Sequence, residues 1–358
     1  MTNKEIDFKN IVKKVSYKEG LSVNEARELF RNIIKGKLHN SDIITILKEI
    51  SSRGETIEEI LAMIEIIKEN SITISPNIKN NLIDICGTGG DKIKTFNIST
   101  AAAIVAASAG ANIAKHGNRS ASGLCGSADF LEFIGLDLNC SPNMVSKNIE
   151  KIGIGFLFAP IFHPALKNVS QIRKKIKIKT IFNIVAPLCN PCENLSGQII
   201  GVSDPLLLSK LAKVTKKLNK RFIIISSNDG FDELSNTGIN NIVLVNKGEI
   251  NKFTLNPIEV GIPITYVQNI AIKNKEESIR VTLESIYGIT KKEIEDVVVL
   301  NTAPILVLSD IAKNIKEGIE ISRSAIREGK ARKKLLDLIT SYGEKEKLFE
   351  VERVFNMV

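Results

Sequence analysis

The chain has no tryptophan, only three histidines and five cysteines, and aromatic residues make up 5% of it. So few rings leave little to stack bases on, which argues against a single-strand nucleic-acid platform. Five sparse cysteines, an odd number, do not form a secreted disulfide framework and fit a reducing, cytoplasmic setting. Cys189-Asn190-Pro191-Cys192 is a CxxC, but a second pair to complete a zinc site is missing. Small buried side chains are the plainer reading of it. No apolar run is long enough to span a bilayer, and Met1-Thr2-Asn3-Lys4-Glu5 lacks the apolar core of a signal peptide. The formal net charge of +9 suits an anionic ligand. Lysines are nonetheless spread along the whole chain, which reads as a solvated surface rather than a polyanion groove.

What is present is an ordinary globular composition, 43% hydrophobic and 25% charged, over 358 residues. That length allows one large domain and a smaller one. Residues 1–75 read as helices only. Ser22-Val23-Asn24-Glu25 and Thr56-Ile57-Glu58-Glu59 are capping boxes, each followed by apolar residues at helical spacing. Ser41 is the expected cap of the helix between them. Ser75-Pro76-Asn77 reads as a linker. Strand-like pieces at 83–86, 112–115, 155–159 and 221–225 then alternate with helical ones at 99–109, 130–134, 142–152, 164–175 and 205–218. This predicts α/β architecture: a small helical N-terminal domain plus a larger α/β domain (80–341) with a mostly parallel central sheet. A hairpin is expected over 242–254, turning at Asn246-Lys247-Gly248, and residues 342–358 read as an amphipathic or frayed tail.

Four stretches carry the chemistry. In Asp84-Ile85-Cys86-Gly87-Thr88-Gly89-Gly90-Asp91, three glycines follow a buried strand end. They strip the turn of side chains and aim backbone N–H groups at one place. Thr95-Phe96-Asn97-Ile98-Ser99-Thr100 then opens an alanine-rich helix, with Asn97 or Ser99 as cap. A glycine turn feeding a helix N-terminus suits phosphate or pyrophosphate, with a purely structural turn as the alternative. It is neither a Walker A loop nor GxGxxG. The second stretch runs from Lys115-His116-Gly117-Asn118-Arg119-Ser120-Ala121-Ser122-Gly123 to Gly126-Ser127-Ala128-Asp129. It is rich in charge, donors and glycine. Two such loops at neighbouring strand ends suggest one large, multiply charged ligand. Third, Asp232-Glu233 follows a strand; it is either a surface turn or a Mg²⁺ site. Fourth, Arg173 stands in a basic helical stretch after His163-Pro164-Ala165. A guanidinium there suits a carboxylate, and a solvated helix face is the alternative.

Together these pieces, with Thr180-Ile181-Phe182-Asn183, Pro187-Leu188, Asn190-Pro191 and Asp232-Glu233-Leu234, resemble the anthranilate phosphoribosyltransferase family over nearly the whole chain. The resemblance implies a homodimer that transfers the phosphoribosyl group of 5-phosphoribosyl 1-pyrophosphate (PRPP) to anthranilate with Mg²⁺. It assigns PRPP to Gly87, Gly90, Asp91, Thr95, Asn97, Ile98, Ser99 and Thr100, and to Lys115, His116, Gly117, Asn118, Arg119, Ser120, Ala121, Ser122, Gly123 and Ser127. It assigns anthranilate to Gly87, Asn118 and Arg173, and magnesium to Ser99, Asp232 and Glu233. No residue is assigned as an obligatory acid or base; His116 is the nearest candidate for proton handling. Lys92, Lys94, Leu124, Cys125 and Ala186 depart from the family's usual residues. The alternatives are a pyrimidine-nucleoside phosphorylase of the same fold and a non-catalytic nucleic-acid-binding relative.

Overall fold

The computed structural model describes residues 8–90, 93–120, 124–176 and 178–357. The chain divides into two compact units, Met1–Ile72 with Pro160–Pro191, and Thr73–Ala159 with Cys192–Val358.

The first unit is helical, and with helices numbered along the chain it holds α1 (Phe8–Ser16), α2 (Val23–Ile34), α3 (Asn40–Arg53) and α4 (Ile57–Glu69). Both capping boxes form. Ser22 N–H donates to Glu25 at 3.0 Å and Thr56 N–H to Glu59 at 2.9 Å, while each cap hydroxyl accepts the returning amide. α3 starts earlier than its expected cap: His39 occupies the cap position without a side-chain bond. The chain returns through the short α8 (Ala159–Phe162) to add α9 (Lys167–Ile176) and α10 (Ile181–Val185). These late helices join a unit whose other helices lie more than ninety residues earlier, a pairing that no local pattern encodes.

The second unit is built on one seven-stranded sheet in the order β3-β2-β1-β4-β5-β6-β7. Its strands are β1 (Leu82–Gly87), β2 (Asn112–Gly117), β3 (Ile154–Phe158), β4 (Gly197–Gly201), β5 (Arg221–Ser227), β6 (Asn240–Asn246) and β7 (Glu249–Leu255). β3 to β5 run parallel, and β6 and β7 close one edge antiparallel. Residues 82–85 of β1 are buried on both faces, as a parallel sheet requires. The hairpin turns at its expected place, on Lys247 (φ 48°) and Gly248 (φ 79°), the positive-φ pair of a two-residue hairpin. α5 (Ile98–Ser108) is apolar all round, with Ala101, Ala102, Ala103, Ala106 and Ala107 buried. Such a helix belongs in the core. It packs between the sheet and α13 (Lys292–Leu308). The unit is completed by α6 (Ser127–Phe133), α7 (Pro142–Ile152), α11 (Leu206–Lys216), α12 (Lys275–Tyr287), α14 (Ile315–Arg327), α15 (Lys330–Tyr342) and α16 (Lys345–Val354).

Two elements go beyond the sequence reading. β4 lies at the centre of the sheet, yet Gly-Gln-Ile-Ile-Gly is short and framed by glycines, and it is not among the strand-like pieces of the sequence. The stretch expected as a tail contains α16, which buries Leu348 and Glu352. Glu352 accepts from Tyr287 Oη at 2.7 Å and from Arg332 at 3.0 Å. Of the two readings of this stretch, amphipathic or frayed, the structure has the amphipathic one.

Candidate functional site

The strand order reverses between β1 and β4: β2 and β3 extend the sheet one way, β4 and β5 the other. In open α/β sheets, ligands bind outside the carboxyl ends of strands at such a switch point. Gly87 ends β1 and Gly201 ends β4, and the two are paired in register. Thr88 N–H donates to Gly201 O at 2.9 Å, so the glycine turn leaves the sheet over this crevice. Gly89 (φ 69°) and Gly90 (φ 85°) both take left-handed backbone, which explains why side chains are absent there. Asp91 and Lys92 lie outside the described residues.

The acidic pair, just past β5, links the turn to the helix that follows it. Asp232 Oδ2 accepts Gly89 N–H at 2.7 Å. Glu233 Oε1 accepts Ser99 N–H at 3.0 Å. Glu233 therefore supplies the N-terminal cap of α5 from 134 residues away, while Asn97, at the cap position, makes no side-chain cap bond. A β-carbon on Gly87 would lie 2.0 Å from Asp232 Oδ2, and one on Gly201 would lie 1.4 Å from Asp232 O. Both glycines are required by the close approach of the acidic segment. This is a second reason for glycine at 87, beyond the access it gives a ligand.

Lys115, on β2, completes the charge pattern. It is 4% exposed, and its ammonium donates to Ile85 O at 2.9 Å and to Ser99 Oγ at 3.4 Å. Burial pulls it below the usual lysine range, while the charges of Asp84 and Glu233 act the other way. Burial, with Asp232 alongside, pushes Glu233 up to about 8, against the pull of Ser99 and Lys115. Two crowded carboxylates with a hydroxyl beside them form a hard-oxygen donor set. That set fits a cation such as Mg²⁺, which takes one or two carboxylates and keeps waters or phosphate oxygens for the rest. Among the described residues no group of three or more His, Cys, Asp or Glu side chains could hold a metal ion. The hydroxyls of Thr88, in the glycine turn, and Thr100, in the first turn of α5, are buried without a partner among the described residues.

The second loop is stapled at its base. Asp129 Oδ2 accepts both Ser120 N–H and Gly126 N–H, each at 2.9 Å. Burial raises Asp129, but these donors, together with Lys275 and Arg119, outweigh it and hold the carboxyl below its ordinary range. Arg119 turns onto Glu132, at 2.6 and 2.8 Å, and lies over the Phe158 ring. Asn118 Oδ1 accepts the Arg119 amide, and Asn118 O accepts from Ser127 Oγ. Gly117 has no room for a β-carbon, which would meet Ser127 Oγ at 2.3 Å. His116 N–H donates to the buried Asp84 at 3.1 Å. Thr95 forms an isolated bridge with Ala271. Ile98 is buried at the first turn of α5. Ala121, Ser122 and Gly123 lie outside the described residues.

Arg173 stands on α9 of the helical unit. Its guanidinium lies 5.0 Å from the centre of the Phe182 ring. Burial lowers it from the usual arginine value, and among the described residues it forms no ion pair with a carboxylate. A desolvated guanidinium stacked on a ring, with no carboxylate partner among the described residues, is suited to an anion. Cys189 and Cys192 are both buried, and burial pushes each thiol up to about 12. Sequence reasoning missed Gln198, whose amide donates to Asp84 at 2.8 Å, because its strand was missed.

Residues 79–332 match the family described as "Glycosyl transferase family, a/b domain". The anthranilate phosphoribosyltransferase of Vesicomyosocius okutanii is 38% identical over 337 residues, covering 93% of this chain and 98% of that protein. The crystal structure of anthranilate phosphoribosyltransferase from Thermus thermophilus superposes with a TM-score of 0.85 at 34% identity, covering 92% of this chain and 98% of that one. The Saccharomyces cerevisiae enzyme in complex with PRPP and Mg gives 0.84 at 26% identity, covering 95% and 98%. The chain belongs to the anthranilate phosphoribosyltransferase family.

Proposed function

We propose that this chain transfers the phosphoribosyl group of PRPP to the amine of anthranilate and releases pyrophosphate. The observation that carries the reading is the acidic pair at the switch point: Asp232 and Glu233 each hold an amide of a different turn, Gly89 and Ser99. The relatives' names, and the PRPP and Mg of the yeast structure, support the same substrate and cation.

The glycine-turn amides and the N-terminus of α5 would bind phosphate oxygens, each charge-assisted bond contributing roughly 1.5–3 kcal/mol. Ser99, Asp232 and Glu233 would hold Mg²⁺. When bound, the cation supplies charge neutralisation to a departing pyrophosphate. Lys115, fixed between Ile85 and Ser99, adds a positive charge at the same turn. Arg173 would pair with the anthranilate carboxylate and so orient the amine. An aromatic amine is unprotonated at neutral pH, so attack on C1 of the ribose needs no strong base beforehand. The C1–nitrogen bond forms as the C1–oxygen bond to pyrophosphate breaks, and the nitrogen then gives up one proton to the released pyrophosphate or to water. Alignment and electrostatic stabilisation do the rest. The remaining loop residues, 115–123 with Ser127, are proposed for PRPP, and Gly87 and Asn118 for both substrates. The reading also carries a cytoplasmic location and a homodimer; sedimentation of the purified chain would check the dimer.

Anthranilate fluorescence tests the reaction directly. Purified protein with PRPP and Mg²⁺ is expected to extinguish it, and phosphorolysis of thymidine is expected to be absent. Persistent fluorescence together with thymidine cleavage would replace this reading by the nucleoside phosphorylase.

A further inference from the structure

Asn301 sits in the middle of α13 with no exposed surface. Asparagine is a poor choice for a helix interior, because its amide competes for backbone bonds and is costly to bury unpaired. Here its amide is fully used. Oδ1 accepts Leu234 N–H at 2.9 Å, and Nδ2 donates to Leu234 O at 2.7 Å and to Val297 O at 2.8 Å. The next residue along is gripped in the same way by a different element. Asn240, also fully buried at the start of β6, accepts Ser235 N–H at 2.7 Å and donates to Ser235 O at 2.8 Å. Two successive residues thus have both backbone groups satisfied by asparagine side chains from α13 and β6. The segment is held as a strand would hold it, without a strand. Upstream, Phe231 N–H donates to the buried Ser227 Oγ at 3.0 Å. The two residues between these anchors are Asp232 and Glu233.

We infer that Asn301 and Asn240 are positioning residues for the acidic pair. Both side chains are fully buried and would act through the backbone of Leu234 and Ser235 that they hold. They fix the chain immediately after Glu233, so that its carboxylate reaches Ser99 while Asp232 reaches Gly89. An apolar side chain at 301 would fill the helix interface equally well but would leave the N–H and C=O of Leu234 buried and unpaired, free to shift in search of partners. The inference rests on reading the acidic pair as the magnesium-holding site only where its consequence for catalysis is concerned; the geometric part stands by itself.

The test compares Asn301→Leu and Asn240→Ala with Thr302→Val. Thr302 is equally buried on the same helix, and its hydroxyl bonds within that helix to Val298 O. Amide hydrogen exchange of the metal-free protein is read at Gly89 and Ser99. Both asparagine variants should speed exchange there by about tenfold or more, since the accepting carboxylates are no longer held in place. Thr302→Val should leave those two amides as they are. With PRPP and anthranilate present, the Mg²⁺ concentration giving half-maximal turnover should rise about tenfold in the asparagine variants, with the KM for anthranilate within about twofold. Unchanged exchange at Gly89 and Ser99 would overturn the inference, as would an equal change in Thr302→Val. Should Asn301→Leu fail to fold, Asn240→Ala decides by the same two amides. If exchange behaves as expected while no variant or parent transfers phosphoribose, the proposed function fails and the positioning role stands.

Discussion

Gly87 is where a single hydrogen in place of a methyl group decides the site. Because a β-carbon there would fall 2.0 Å from Asp232 Oδ2, Gly87→Ala must push the carboxylate aside or distort the turn. The residue ends a strand, so the fold can absorb the change more easily than the site can. The expected result is a fall in kcat of about tenfold to a hundredfold, equal to roughly 1.4–2.7 kcal/mol, with Tm nearly unchanged. Steady-state kinetics beside a thermal melt checks this. Arg173 makes a separate prediction. Its guanidinium rests on Phe182 and has no carboxylate partner among the described residues. Arg173→Leu should raise the KM for anthranilate about tenfold or more, and leave the KM for PRPP within about twofold. Loss of PRPP binding alone would remove the assignment. Both residues were legible in the sequence as residue types at suggestive positions. The reason for glycine at 87 was only partly legible, because the atom it makes room for lies far along the chain.

At the scale of elements, local signals succeeded wherever the stabilising contacts are local. Both capping boxes bond as Ser22-x-x-Glu25 and Thr56-x-x-Glu59 imply, and the Lys247-Gly248 turn closes its hairpin. Signals failed where the partner is distant. Neither Asn97 nor Ser99 caps α5 through its side chain; Glu233 does so. β4 is short and glycine-bounded, and only its neighbours on both sides make it a strand. One such distant pairing, between residues 92 apart in the chain, carries a pH dependence. Ser71 Oγ donates to Ile67 O at 2.6 Å, so its single proton is committed, and the 2.7 Å contact must run from His163 Nδ1–H to Ser71 Oγ. The imidazole is neutral, and burial depresses His163 to about 4. The unfolded chain takes up that proton near pH 6.5. The contribution to stability is therefore complete above pH 6.5 and lost as pH falls toward 4, on the order of 3 kcal/mol in all. Thermal melts should show the parent protein losing stability between pH 6.5 and 4.5 more steeply than His163→Gln. Parallel curves would contradict the assignment.

At the scale of the whole chain, the sequence revealed the fold class and the order of motifs, because strands and helices alternate visibly after Pro76. It did not reveal that 160–191 belongs with the first helices, since a run of helices after a strand also fits the α/β pattern. Nor did it reveal the asparagine anchors at 240 and 301, which look like ordinary polar residues until their partners at 234 and 235 are known. What the topology achieves is convergence. The reversal of strand order brings the end of β1, the start of α5 and the segment after β5 to one place, and the acidic pair ties them together. The central claim is that this pair is the charge-handling centre of phosphoribosyl transfer. The most direct measurement is single-turnover loss of anthranilate fluorescence in Asp232→Asn/Glu233→Gln at saturating PRPP and Mg²⁺. A fall of about a hundredfold or more, roughly 2.7 kcal/mol, with the anthranilate KM close to the parent value, is the predicted result. Turnover equal to that of the parent protein would contradict the account.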